Sequence, residues 1–283
     1  MSEVLRAETL GGAQVLDLYE PLEARPETPL CLILPALGIS ASYYRGFGEA
    51  LAARGLRALV ADFPGHGESP LRAARDQDWS YADLIQLHAP AVIEAARGRF
   101  PAAPRIWVGH SLGGQVALMH AGREPGAVEA VVVIASGSAH ASGWTGARRR
   151  YLQLAPPLCS LLSRPLGYFP GHRVGFGGRE ARTLIQQWAS AARSGRYQWG
   201  SFDGEAGLAA WSGPTLAIPL AGDDLAPRPA MAHTLDKTAA NVEWRPWTEP
   251  APPDHNRWPR MPDPPADAIH DWLGELRGRG KPR

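Results

Sequence analysis

The sequence predicts an α/β fold with a mostly parallel central sheet and helices on both of its faces. Three observations carry this. Five short apolar runs recur along the chain, helical patterns separate them, and each run is almost continuously Val, Ile, Leu or Ala. Such runs mark strands covered on both faces, and their alternation with helices marks βα units. A chain of 283 residues suits one large α/β domain with an insertion, and we take 1–283 as that domain.

The elements follow in order. Glu8–Leu10 and Val15–Tyr19 flank Gly11-Gly12 and read as an antiparallel hairpin. The five runs are Cys31–Leu34, Arg57–Ala61, Ile106–Val108, Val128–Ile134 and Thr215–Leu220, with a weaker sixth at Val242–Pro246. Phe47–Arg54 reads as a helix. So does Tyr81–Arg97, with Leu84, Leu87, Ala91 and Ala95 along one stripe and Pro90 as an expected kink. Ala266–Leu276 closes the chain as a helix with Ile269, Trp272 and Leu276 on one face. The alternation breaks between about 136 and 213. That stretch holds four of the ten Trp, several further aromatics, and Arg148-Arg149-Arg150. It reads as a mostly helical insertion whose rings either cover a pocket or pack the insertion down. The arginine run reads as a solvated face.

Composition narrows the function. With 29 Lys+Arg against 28 Asp+Glu, the net charge is +1, so bulk charge provides no nucleic-acid surface. Cys31 and Cys159 are too few for a disulfide framework and read as buried thiols of a reducing compartment. Met1–Ala13 shows no charged leader with an apolar core, and no apolar run approaches the ~18–20 residues that span a bilayer. A cytoplasmic protein with no membrane partner is expected. Scattered histidines, no H-E-x-x-H, no G-x-G-x-x-G after the first strand and no Walker lysine imply no metal and no cofactor.

Gly109-His110-Ser111-Leu112-Gly113 is a G-x-S-x-G pattern. With 31 Gly and 15 Ser, chance supplies about 0.2 such matches in this chain, so context decides. An apolar run precedes it and a helical one, Gln115–Ala121, follows. That strand–turn–helix holds a serine in a strained, exposed turn, with glycines where a Cβ would strike the neighbouring strand or helix. Asp62-Phe63-Pro64-Gly65-His66-Gly67-Glu68-Ser69 marks a second tight turn at a strand end. His66 and His110 read as structural, the one on a turn before the nucleophile, the other pointing away from Ser111.

On these motifs the chain resembles the α/β-hydrolase family over nearly its whole length. More narrowly, it is similar to a bacterial subgroup of predicted hydrolases sharing Tyr43-Tyr44-Arg45, Ala135-Ser136-Gly137-Ser138 and Gly167-Tyr168-Phe169-Pro170-Gly171. The resemblance implies an α/β-hydrolase fold with a helical cap and a triad in the order Ser, acid, His. Ser111 is then the nucleophile. The acid lies in Gly222-Asp223-Asp224, where spacing to Pro227 selects Asp223 and leaves Asp224 as competitor. His255, in the Pro-rich stretch before the last helix, becomes the base, and that stretch must be an ordered loop. His270 reads as a surface or packing residue. Asp254 stands where the subgroup has glycine, and Asn256-Arg257 where it has aromatics. The oxyanion donors are the main-chain N–H groups of Leu112 and Leu37, with Pro35-Ala36 where relatives often carry His-Gly.

The resulting expectation is a serine hydrolase acting on a small or medium carboxylic ester through an acyl-enzyme. A thioesterase or acyl transferase would use the same triad. A small-molecule binding protein on the same fold is the alternative from another class, favoured if Ser111 lies beyond hydrogen-bond reach of His255. Oligomeric state is not legible.

Overall fold

The computed structural model describes residues 5–279, so the first four residues of the Met1–Ala13 stretch lie outside it. The hairpin forms as expected: β1 (Leu5–Thr9) and β2 (Gly12–Tyr19) pair antiparallel around Gly11. Next come β3 (Leu30–Leu34), α1 (Arg45–Ala53) and β4 (Arg57–Val60). A helix of mixed pitch follows, made of α2 (Tyr81–Asp83), a π turn over Leu84–His88, and α3 (Ala89–Arg99). Then β5 (Arg105–His110), α4 (Leu112–Arg123) and β6 (Ala130–Ile134) complete the centre.

Between β6 and the next sheet strand lie α5 (Gly146–Leu166), β7 (Tyr168–Pro170), α6 (Gly171–Val174), β8 (Arg179–Ala181) and α7 (Arg182–Ser194). The short β9 (Gln198–Trp199) and β10 (Phe202–Asp203) lead into α8 (Gly204–Ala210). The chain rejoins the sheet with β11 (Pro214–Ile218), then α9 (Arg228–Leu235), β12 (Asn241–Trp244) and α10 (Asp263–Arg279).

The eight-stranded sheet runs β1-β2-β4-β3-β5-β6-β11-β12. The two N-terminal strands join antiparallel and all other pairings are parallel. Every residue of β3, β4 and β6 is buried, which is why their sequences read as unbroken apolar runs. The step from β3 to β4 runs one way along the sheet and the step from β4 to β5 the other. Right-handed crossovers therefore put α1 on one face and α3 on the opposite one. This reversal opens a crevice at the carboxyl ends of β3 and β5, where an open α/β sheet binds ligands.

One expectation fails. Of the stripe Leu84, Leu87, Ala91 and Ala95, only Leu84 is fully buried, and Ala91 and Ala95 are half-buried. Leu87 is 51% exposed, whereas Ile85, His88, Ala89, Val92, Ile93 and Ala96 are buried. Pro90 has no N–H to donate, and the chain widens into the π turn, where Ala89 N–H reaches Leu84 carbonyl. The extra residue in that turn rotates the later positions off the 3.6-residue period. Pro90 is thus absorbed by a π turn.

Candidate active site

Ser111 sits between β5 and α4 with φ 52° and ψ −115°, one of two described non-glycine residues at positive φ. Such a conformation costs on the order of 1–3 kcal/mol and persists only where its surroundings impose it. Here Ser111 N–H donates to Ile134 carbonyl at 3.2 Å, and the Ser136 hydroxyl donates to Ser111 carbonyl at 2.6 Å. The flanking glycines have a visible reason. A Cβ on Gly113 would strike the Leu34 and Pro35 carbonyls at the end of β3, and one on Gly109 would strike the backbone of Gly114.

The loop after β3 is held against this turn from several sides. Ala36 N–H donates to the Tyr44 hydroxyl at 2.9 Å, and that hydroxyl lies 2.7 Å from His110 Nδ1. Its oxygen accepts from Ala36, so its proton goes to His110 Nδ1, which leaves the imidazole proton on Nε2. Burial, with His255 nearby as the second cause, holds His110 well below the usual histidine range, so the ring is neutral. Burial also pushes the Tyr44 phenol far up, which keeps it a donor. Asp62 ties the next turn down, accepting from Ala41 N–H at 2.6 Å and Glu68 N–H at 3.0 Å. Leu37 and Leu112 both line the cavity over Ser111. Among the described residues neither main-chain N–H has a protein acceptor.

His255 Nδ1 lies 2.8 Å from Asp223 Oδ2, and both side chains are buried. The other Asp223 oxygen accepts from Leu225 N–H at 2.7 Å and Ala226 N–H at 3.1 Å. Burial acts to raise the Asp223 carboxyl. The His255 ring and the two N–H groups outweigh it and hold the group below its ordinary value. Asp224 is exposed instead, and only its carbonyl is used, accepting from Trp144 Nε1 and Arg148 Nε.

The Pro-rich stretch is ordered. Asp254 Oδ1 accepts from Asn256 and Arg257 N–H at 3.1 and 3.0 Å, so the carboxylate closes the turn that carries His255. Three residues on, Trp258 is fully buried and packs edge-on against Tyr44, Phe47 and His110. His110 in turn lies 5.0 Å from His255, centroid to centroid. The loops carrying residues 36, 110 and 255 thus meet in one aromatic cluster. Neither the Trp258 anchor nor the Tyr44 bridge was legible from motif spacing.

Ser111, Leu37, Leu112 and His255 line one cavity of about 500 Å³. Its walls are mainly apolar, from Tyr151, Leu152, Leu158, Leu162, Leu184, Ile185 and Trp188, with Gln115 as a polar group. No hydrogen bond joins Ser111 to His255 among the described residues. Of the aromatics between 136 and 213, Tyr151, Phe176 and Trp188 face this cavity, while Phe169, Tyr197, Phe202 and Trp211 are buried. Cys159 is half-buried on the cavity wall rather than fully buried like Cys31. His66 pairs with Glu180 at 3.0 Å. Burial lowers its tendency to protonate, but the carboxylate more than reverses that and its pKa is raised. This pair pins the 62–69 turn to β8, and neither side chain lines the cavity over Ser111. His270 lies exposed on α10.

A family model described as alpha/beta hydrolase fold matches residues 29–278. The chain is an α/β hydrolase. Within that family, 127 residues are 33% identical to a pimeloyl-[acyl-carrier protein] methyl ester esterase of Methylococcus capsulatus, covering 44% of each chain. The match spans less than half of that relative's length. A putative carbamate hydrolase, RutD, of Variovorax paradoxus is 29% identical over 211 residues, which cover 69% of this chain and 74% of the relative. Among solved structures, a thermostable carboxyl esterase from Bacillus coagulans aligns with a TM-score of 0.66 at 12% identity. That alignment covers 96% of this α/β hydrolase and 98% of the esterase. Est1E from Butyrivibrio proteoclasticus aligns at 0.64 and 14%, covering 98% of this chain and all of the other. At these identities the structures speak for the fold.

Proposed function

We propose that this α/β hydrolase is a serine esterase that cleaves small or medium carboxylic esters through an acyl-enzyme. The observation that carries the reading is the buried Asp223–His255 pair at 2.8 Å on the cavity that the strained Ser111 turn enters. Ser111 Oγ attacks the ester carbonyl carbon and its proton passes to His255 Nε2. Asp223 accepts from His255 Nδ1–H, fixes the ring tautomer and stabilises the imidazolium without taking the proton. Leu37 and Leu112 N–H receive the developing oxyanion, each worth about 10²–10³ in rate. His255 then protonates the departing alkoxide, and water, deprotonated by the same imidazole, releases the acid and restores Ser111. We read residues 136–213 as a cap whose cavity-lining apolar side chains, such as Leu152, Leu184 and Trp188, select the acyl or alcohol group. The relative named as a methyl ester esterase supports an ester substrate. Two unpaired thiols support a cytoplasmic setting.

A thioesterase or acyl transferase would use the same groups, and product analysis with paired ester and thioester substrates separates them. One observation favours the binding-protein reading: no Ser111–His255 hydrogen bond is formed. In unliganded enzymes such contacts are often long and tighten only with substrate bound. Labelling by a fluorophosphonate tests the choice. Native protein is expected to label, and Ser111→Ala and His255→Ala to lose it. A folded native protein that does not label is a binding protein.

A further inference from the structure

The helix α5 carries an apolar stripe that nothing among the described residues covers. Leu154 is 73% exposed, Leu158 55% and Leu161 58%, with Tyr151 and Leu162 beside them. Their spacing of three and four residues puts them on one side of the helix. Tyr151, Leu158 and Leu162 also line the cavity over Ser111, so the stripe runs without a break from the outer surface into the site. Contiguous exposed apolar surface of this kind marks an interaction face.

The charge around the stripe says what it meets. Residues 141–202 contain nine of the 29 Lys/Arg and one of the 28 Asp/Glu, and that one, Glu180, is buried against His66. The rest of the chain is therefore net negative although the whole carries +1. Arg149, Arg150 and Arg164 on α5 are exposed and have no acidic partner among the described residues. Arg150 falls next to Leu154 and Leu161 on the outer flank of the stripe, by the helix's 100° step per residue. Among the described residues no helix is long and apolar enough to cross a membrane. The expectation of no membrane partner rests on that criterion, which does not bear on a helix lying flat. An apolar arc flanked by unpaired arginines is the pattern of a helix lying in the headgroup layer of an anionic bilayer. A second copy of the chain would bring the same arginines against themselves.

We propose that α5 docks this hydrolase on an anionic lipid surface, with Leu154, Leu158 and Leu161 entering the acyl layer. The cavity mouth at Tyr151, Leu158 and Leu162 then opens toward the bilayer, and an acyl chain reaches Ser111 without crossing water. The last step rests on the esterase reading, whereas docking itself does not.

Flotation with phosphatidylcholine vesicles, with and without a third of phosphatidylglycerol, tests docking without turnover. Native protein and Ser111→Ala are expected to float equally with the anionic vesicles and much less with neutral ones. The double variant Leu154→Ser/Leu161→Ser is expected to partition at least about 10-fold more weakly. It should still hydrolyse a short water-soluble ester at the native rate, since neither leucine lines the cavity. Arg149→Glu/Arg150→Glu is expected to lose the anionic preference, by about 10-fold or more. Native protein that stays unbound overturns the proposal, as does a leucine variant that floats like the native. So does a dimer that the leucine changes dissociate, which would make the face a contact between copies. Binding to soluble polyglutamate that survives the leucine changes, with no flotation, would assign the face to an acidic protein instead.

Discussion

Replacing Tyr44 by Phe removes one oxygen and breaks two buried contacts. Ala36 N–H loses its acceptor at 2.9 Å and His110 Nδ1 loses its donor at 2.7 Å. The side chain has no exposed surface, so water does not readily take the place of the oxygen. Leaving a buried polar group unpaired costs about 1–3 kcal/mol, and the two together about 2–4 kcal/mol allowing for local relaxation. In a chain of this length that lowers Tm by about 3–7 °C. Activity should fall for a separate reason. On the proposed mechanism Ala36 precedes the oxyanion donor Leu37, and a loosened loop would weaken a contact made chiefly in the transition state. We expect kcat to drop about 10–100-fold with KM within about threefold. Thermal unfolding by circular dichroism and steady-state hydrolysis of p-nitrophenyl acetate measure the two effects. A Tyr44→Phe variant with native Tm and native kcat would refute the view that this hydroxyl holds the loop.

Two further substitutions separate neighbouring roles. Asp223→Asn should lower kcat by about 10³–10⁴, while Asp224→Asn, whose carboxylate faces solvent, should stay within about threefold; equal losses in the same ester assay would contradict the assignment. His88 is fully buried beside Phe63, neither ring nitrogen has a partner among the described residues, and burial lowers its pKa to about 4. Since the unfolded value is about 6.5, this neutral ring has no effect above pH 6.5 and destabilises the fold as pH falls toward 4, by up to about 3 kcal/mol. His88→Leu should therefore be at least as stable as native at pH 7 in urea titrations, and its advantage should grow by pH 5. A constant difference between the two pH values would count against burial as the cause.

The sheet was legible because its central strands are covered on both faces, and unbroken apolar runs are the direct consequence. Ser111 was legible because a strained turn between a strand and a helix leaves a glycine pattern, and the close approaches at Gly109 and Gly113 explain it. The burial face of the second helix was not, since a π turn breaks the period on which any stripe is counted. Tyr44 belongs to a motif the sequence shows, but its bridging role was not legible, for a different reason. Its hydroxyl joins positions 36, 44 and 110, and a hydrogen bond between three separated segments leaves no spacing to read. Chain order and the distance to Pro227 pointed to Asp223, and the structure puts that residue, not Asp224, against His255.

The departures from the family's pattern fall in the two loops that this cluster supports. Pro35-Ala36 stands where relatives often carry His-Gly, yet the groups the proposed mechanism would use there are main-chain N–H donors, which require a backbone shape rather than particular side chains. That shape is held from outside the loop, by Tyr44 on Ala36 and by Asp62 on Ala41. At the other loop, Asp254 replaces glycine and closes the turn with its own carboxylate, while Trp258 seats the loop beside the same Tyr44 and His110. One buried cluster therefore positions the loop that would bind the oxyanion, the turn that carries Ser111 and the loop that carries His255. Its parts are mechanically linked, so a change at Trp258 should disturb the Leu37 donor as well as His255. A substitution at Pro35, where the backbone is held by these distant groups, should matter less.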